Sequence, residues 1–145
     1  TRAPEGSKGQ GHYVDGPRKS FAGGAGLLST AHDYARFLEA IRRGGTLDGV
    51  RMLSRRAVDL MTTNQVGTLH SATGVGFGLG FETVDRYGAK GMDGVGAFGW
   101  GGAYGSFYRV DPQAQLVMVL MIQLIPNGTD IGDRFPTLVY QAFGQ

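Results

Sequence analysis

Twenty-six of the 145 residues are glycine, more than twice the usual share of about 7%, and this limits what the chain can build. Twelve of them fall between Gly74 and Gly105, interleaved with aromatic and β-branched residues rather than gathered into a Gly/Ser tract. Glycine weakens any regular element, so it is concentrated where a turn, a bulge or a close backbone approach requires it. The pattern predicts short strands broken by tight turns. No collagen period accompanies it.

A chain of this length fits one domain around one core. Fourteen basic and 12 acidic side chains give a formal charge of +2, scattered without the clustered Lys/Arg stripe that a phosphate backbone requires, so no nucleic-acid partner is expected. With 41% hydrophobic and 18% charged residues, the chain is expected to fold, and no apolar run approaches the roughly 20 residues of a membrane span. Cysteine is absent, which excludes disulfides and thiolate metal sites and leaves exported and cytoplasmic locations equally open. Residues 1–11 hold neither an initiator Met nor the apolar core of a secretory signal, which suggests a truncated or processed start.

Residues 1–20 are polar and rich in Gly, Pro and charge, and read as an extended arm or loop. Ser29 or Thr30 then caps a helix predicted from Ala31 to Arg43, with Tyr34, Ala35, Leu38 and Ile41 on one face and Gly44-Gly45 at its end. Leu47-Asp48-Gly49-Val50 reads as a tight turn, and Ser54 as the cap of a short second helix through Val58 and Met61. Strands are predicted from Phe77 to Val84, Gly94 to Ala103, Ser106 to Val110 and Leu116 to Gln123, with Asp111-Pro112 turning between the last two. Short connections imply antiparallel pairing. A closing helix places Pro136 in its first turn and Phe135, Leu138, Val139 and Ala142 on one stripe. The expected class is α+β, an antiparallel sheet with flanking helices.

Several motifs lack their context. Gly94-Val95-Gly96-Ala97-Phe98-Gly99 matches the spacing of a dinucleotide loop, but a strand rather than a helix is expected to continue from it, so no nucleotide site follows and no cofactor is expected. His12, His32 and His70 show no metal-ligand spacing and read as polar surface residues; no metal site is expected. None of the six serines lies in a Gly-x-Ser-x-Gly elbow or has Lys three positions on, so no nucleophile is identified. Tyr104-Gly105-Ser106 looks like a Tyr-x-Ser element but lies between two strands without a partner.

One ordered combination carries specificity. It runs Phe21-Ala22-Gly23-Gly24-Ala25-Gly26-Leu27-Leu28-Ser29-Thr30-Ala31, then Asp33-Tyr34-Ala35-Arg36-Phe37, then Phe98-Gly99-Trp100-Gly101-Gly102-Ala103-Tyr104-Gly105. Over residues 21–143 this resembles the C-terminal part of the serine β-lactamase and penicillin-binding-protein superfamily, closest to class C β-lactamase-like proteins and family VIII carboxylesterases. The resemblance implies an incomplete β-lactamase-like, or transpeptidase-like, fold over residues 21–145. It also implies that Trp100-Gly101-Gly102 stands where the family carries Lys-Thr-Gly, on the strand bordering the active site. Glycine there has its own physical reason, since an acyl substrate lying along a strand needs exposed backbone.

By the same resemblance the N–H of Ala103 donates to the developing oxyanion, and Trp100 offers a flat apolar wall where β-lactamases have a cation. Asn127, in Pro126-Asn127 after the last strand, falls near the amide that meets a substrate carboxylate in such enzymes. The family's first two elements, Ser-x-x-Lys and a Tyr or Ser base, are absent from these residues. The expectation is therefore a C-terminal segment of a serine hydrolase acting on esters or β-lactams, inactive in isolation. The alternative is a non-catalytic peptidoglycan- or ligand-binding module. The expected partner is the N-terminal portion of the same enzyme. Leu116 to Ile122, apolar at every position, would otherwise be left with an unpaired edge and drive homo-oligomerisation or a domain swap.

Overall fold

The computed structural model describes Gly24 and residues 27–143. Two compact units divide the chain, Thr1–Thr30 and Ala31–Gln145. The expected arm at residues 1–20, and residues 21–23, 25 and 26 of the first motif, lie outside the described residues. All helices and strands described below belong to the second unit.

Helix α1 (Ala31–Arg42) forms where the apolar spacing places it, with Leu38, Ala40 and Ile41 buried. A two-stranded hairpin follows, β1 (Thr46–Leu47) with β2 (Val50–Arg51). Its turn residues Asp48 and Gly49 both have positive φ, 49° and 79°, the combination that matches the twist of a two-residue hairpin. Helix α2 (Arg55–Met61) starts at Ser54, whose hydroxyl accepts a hydrogen bond from the Ala57 amide at 3.2 Å, satisfying one of the amides orphaned at a helix start.

The main sheet is antiparallel throughout, in the order β3 (Val75–Phe77), β4 (Glu82–Val84), β5 (Phe98–Gly101), β6 (Phe107–Asp111), β7 (Leu116–Leu120). The expected single strand from Phe77 to Val84 is two paired strands. The Gly78 amide bonds the Phe81 carbonyl at 2.7 Å, Leu79 bonds Met61 at 3.0 Å, and Gly80 takes φ +93°, so the glycines close a hairpin there. Strand β5 starts at Phe98 because Gly94 to Ala97 form a turn, closed by Ala97 N–H to Gly94 C=O at 3.0 Å. A strand and no helix follows Gly99, which leaves the glycine spacing without a pyrophosphate cradle.

Strand alternation separates two faces. On one, Phe98, Val110 and the Phe81 ring pack with Leu38 and Ile41 of α1 and Val58 of α2, joined by Tyr108, Val117 and Val119. The other carries charge: Glu82, Arg109 and Asp111 are all buried. Helix α3 (Ile131–Phe143) reaches this face through Tyr140, whose hydroxyl donates to Asp111 Oδ2 at 2.7 Å. Pro136 sits inside α3 rather than in its first turn, and the buried residues are Pro136 and Tyr140. Leu138 is exposed, so the stripe is rotated from the expected one toward the residues that meet the sheet.

Asp111 shows why acid should loosen the fold. Burial opposes its ionisation, yet amides of Ala114, Gly94 and Gln113 and the Tyr140 hydroxyl hold its pKa below the ordinary value. Glu82 is likewise lowered against burial, by Lys90, Arg109 and His70. A depressed folded-state pKa contributes stability that is present above the unfolded value, about 4 for a carboxyl, and is lost as pH falls through the folded one. Asp93, which burial pushes up, works in the opposite sense. Glu39 is lowered as well, to about 2, by its bonds to Arg42 and Arg43, so three depressed groups oppose one raised group and the urea midpoint is expected to fall on acidification below about pH 4, less steeply in Asp111→Asn. A midpoint unchanged down to about pH 3 would refute this.

Candidate active site

Strand β5 pairs fully with β6, Trp100 opposite Tyr108 and Gly101 opposite Phe107. On its other side the last partner is Glu82, opposite Gly99. Past Gly99 the β4 side of β5 has no strand partner among the described residues, because the chain before Glu82 turns away in the Gly78 hairpin. The open edge is Trp100 and Gly101, both exposed, continued by exposed Gly102 and Ala103. An open strand edge next to glycine is suited to an extended group adding alongside it.

A tight turn closes this edge. The Gly102 amide donates to Ser106 C=O at 2.7 Å and the Gly105 amide to Gly102 C=O at 2.9 Å, while the Ala103 amide has no acceptor among the described residues. Two bonds fix the turn to the segment after β7: Leu124 N–H to Tyr104 C=O at 3.0 Å, and Ser106 Oγ to Ile122 C=O at 3.1 Å. Asn127 arrives on that segment. Its Oδ1 accepts from Thr129 N–H at 3.1 Å and from the Thr129 hydroxyl at 2.7 Å. Its Nδ2 lies so close to Gly105 that a side chain there would collide with it, and Gly105 has φ +84° besides. Glycine at 105 thus lets the amide of Asn127 approach the turn that carries Ala103. The structure brings Trp100, Gly101, Gly102, Ala103 and Asn127 to one end of the sheet.

Behind β5, between the charged face and α3, lies a cavity of about 660 Å³ lined by Trp100, Gly101, Gly102, Phe107, Arg109, Lys90 and Pro136 among others. Its floor is a buried ionic network. Gly99 has Glu82 opposite it on one side and Arg109 on the other, and without a side chain between them they meet at 3.4 Å. Arg109 also lies 3.0 Å from Asp93 and 5.4 Å from the Phe107 ring centroid. The Arg109–Asp93 contact is off the N–H axis, and Nε and Nη1 have no aligned acceptor, so it is a charge pair rather than a hydrogen bond. Lys90 pairs with the same Glu82 carboxylate.

His70 departs from its expected place. Its side chain is 30% exposed and its Nε2 lies 3.4 Å from Glu82 Oε2, with the ring 5.3 Å from Phe77 and 6.3 Å from Trp100. No sequence signal marked it, since its partner Glu82 is twelve residues away across a hairpin that had been read as one strand. His32, in the first turn of α1, is exposed as expected, and His12 lies outside the described residues.

A family model described as beta-lactamase matches residues 1–138. An uncharacterized protein of Mycobacterium tuberculosis is 39% identical over 128 residues, covering 79% of this chain and 32% of that protein. Esterase EstB of Burkholderia gladioli is 32% identical over 110 residues, covering 74% of this chain and 27% of its own. Among solved structures, EstCE1, described as a hydrolase with promiscuous acyltransferase activity, aligns with a TM-score of 0.66 at 29% identity, over 85% of this chain and 32% of that one. The chain therefore spans about a third of the length of these proteins. No helix among the described residues is long and apolar enough to cross a membrane. The matched residues, the α+β architecture and the shared fold place the chain in the beta-lactamase family.

Proposed function

We propose that the chain is the C-terminal segment of a serine hydrolase that transfers acyl groups from esters or β-lactams to water, and that it contributes the third active-site motif, Trp100-Gly101-Gly102. The observation that carries this reading is the β5 edge ending in an Ala103 amide with no acceptor among the described residues. In the complete enzyme a serine from the N-terminal portion attacks the carbonyl carbon, and a neighbouring base takes the hydroxyl proton. The carbonyl oxygen then gains charge, and a preformed N–H donor stabilises it most when it needs no rearrangement to do so. Ala103 N–H is such a donor. Trp100 forms the apolar wall, which favours an ester acyl group, and Asn127 Nδ2 offers a donor at the far side of the turn. EstB is an esterase and EstCE1 a hydrolase, which supports the ester reading.

The partner is the N-terminal portion of the same enzyme, pairing along β7. Among the described residues that strand bonds only to β6, although Leu116, Val117, Met118, Val119 and Leu120 are half-buried or buried on both faces. An apolar edge strand recruits another strand. The chain alone is expected to self-associate at micromolar concentration and to leave p-nitrophenyl butyrate and nitrocefin intact. Co-expression with an N-terminal portion carrying Ser-x-x-Lys is expected to restore hydrolysis and abolish self-association. Turnover by the pure chain, or a reassembled protein that binds both compounds without cleaving either, would defeat the proposal; the second result would favour a binding module.

A further inference from the structure

Trp100 has little beside it on its own strand. Gly99 precedes it, Gly101 and Gly102 follow, and β4 begins at Glu82, opposite Gly99, so no β4 residue pairs with it. Tyr108, opposite on β6, has its ring against Tyr34 and Phe81. An indole so placed and 43% exposed needs another support to form a wall. Phe77, two strands away on β3, supplies it. Its ring meets the indole edge-on, at 4.9 Å between centroids and 89° between planes, a favoured geometry for two aromatic rings. The His70 ring packs on Phe77 at 5.3 Å and completes the cluster.

Phe77 is itself held from behind. It stands opposite Glu82 in the β3–β4 register and gives both of its backbone groups to the connection between α2 and β3. Its carbonyl accepts from the Gln65 amide at 2.8 Å, and its amide donates to Asn64 Oδ1 at 3.4 Å. Asn64 is fixed in turn. Its Nδ2 donates to Asp85 Oδ2 at 2.5 Å and to the Gly67 carbonyl at 2.9 Å, and its Oδ1 also accepts from the Val66 amide at 2.9 Å. A side chain at Gly76 would collide with that of Asn64, so glycine there is what lets Asn64 reach β3. The bonds run from Asp85, past the end of β4, through Asn64 to Phe77.

We propose that Phe77 is a positioning residue of the site: it locks the Trp100 indole in one orientation, and the locked wall limits the size of the acyl group that can lie along the β5 edge. The inference rests on the hydrolase reading only for what the wall limits. A wall that cannot swing admits a short acyl chain and turns away a long one, whereas a wall free to swing admits both. Specificity of this kind is a difference between two substrates, made by the clash with one as much as by contact with the other.

Trp100 is the only tryptophan in the chain, so the decay of its fluorescence anisotropy reads the indole directly in the 145-residue chain. Free rotamer motion of an exposed side chain is fast, from picoseconds to nanoseconds. The wild-type decay is expected to be dominated by slower tumbling. Phe77→Leu, which keeps an apolar side chain but removes the ring, is expected to add a large fast component, and Phe77→Tyr, which keeps the ring, to add none. A large fast component already present in the wild type overturns the proposal, as does a Phe77→Leu decay that matches the wild type. Should Phe77→Leu fail to fold, Asn64→Ala leaves both rings in place and removes the bond behind Phe77; it is expected to give the fast component, and a wild-type decay there overturns the proposal. In the reassembled enzyme, the ratio of kcat/KM for p-nitrophenyl octanoate to that for p-nitrophenyl butyrate is expected to rise about tenfold in Phe77→Leu, the low end of what a pocket imposes on one methylene group. An unchanged ratio also overturns the proposal. The anisotropy decay involves no turnover, so a reassembled wild type that hydrolyses neither ester defeats the acyl-transfer reading and leaves the decay to decide this one.

Discussion

Replacing Ala103 with proline in the reassembled enzyme is expected to lower kcat by about 10²–10³, the usual cost of removing one oxyanion donor, equivalent to about 3–4 kcal/mol of transition-state stabilisation. Proline removes the one group the proposal assigns to this residue. The structure also shows why the substitution is a fair test. Strand β5 ends at Gly101, so Ala103 lies past the sheet, and its amide bonds to no acceptor among the described residues. Proline thus breaks no ladder hydrogen bond. The residue before it, Gly102, tolerates the backbone restriction proline imposes on its neighbour better than any other. The Gly102 amide keeps its bond to Ser106, so the turn remains closed from the strand side. A KM close to wild type with a depressed kcat is the expected signature, because the charge on oxygen develops only in the transition state. Wild-type kcat in a variant with an unchanged thermal midpoint would remove Ala103 from the site. Ala103→Gly, which keeps the amide, should retain most of the rate.

What was legible in the sequence was what local chemistry dictates. The 3.6-residue apolar spacing located α1 to within a residue, Ser54 was read as a cap and is one, and Asp48-Gly49 closes the two-residue turn its composition implies. Of the Trp100 to Ala103 segment, the strand was legible as far as Gly101, where β5 ends, while the segment's role in a site is part of the proposal. The errors arose where tertiary contacts decide. Gly78 and Gly80 fall inside a single strand in the sequence reading, but whether glycine sits in a strand or reverses the chain depends on partners such as the Met61 carbonyl. The missing proline N–H suggested a first-turn position for Pro136. In the structure the residue is buried in the middle of α3 and lines the cavity, although proline there removes a helix hydrogen bond. The place of His70 was invisible for the same reason: its contacts with Glu82, Phe77 and Trp100 follow from neighbours brought together by the sheet.

The buried Arg109–Asp93 pair leads to the second large effect, on stability. Arg109→Leu in the 145-residue chain is expected to cost about 3–5 kcal/mol at neutral pH, the range seen when one member of a buried ion pair is removed. Arg109 is 1% exposed and Asp93 2%, so removing the guanidinium leaves Asp93 facing Asp111 and its burial with no compensating cation except the more distant Lys90. The loss should depend on pH in a defined direction. Burial already pushes the Asp93 pKa up, and Arg109 is what pulls it back. Without Arg109 the folded-state pKa rises further, so the variant takes up a proton at Asp93 on folding at a higher pH than the wild type does, and its deficit shrinks as pH is lowered toward about 5. Adding Asp93→Leu to Arg109→Leu should recover much of the loss, because an apolar pair asks no ion to stay buried alone. Denaturant midpoints for the two variants and the wild type at two pH values test this. A deficit under about 1 kcal/mol for Arg109→Leu, or one that grows on acidification, would mean that the guanidinium does not hold the charged face of the sheet together, and that Tyr140 and the amides around Asp111 carry it instead.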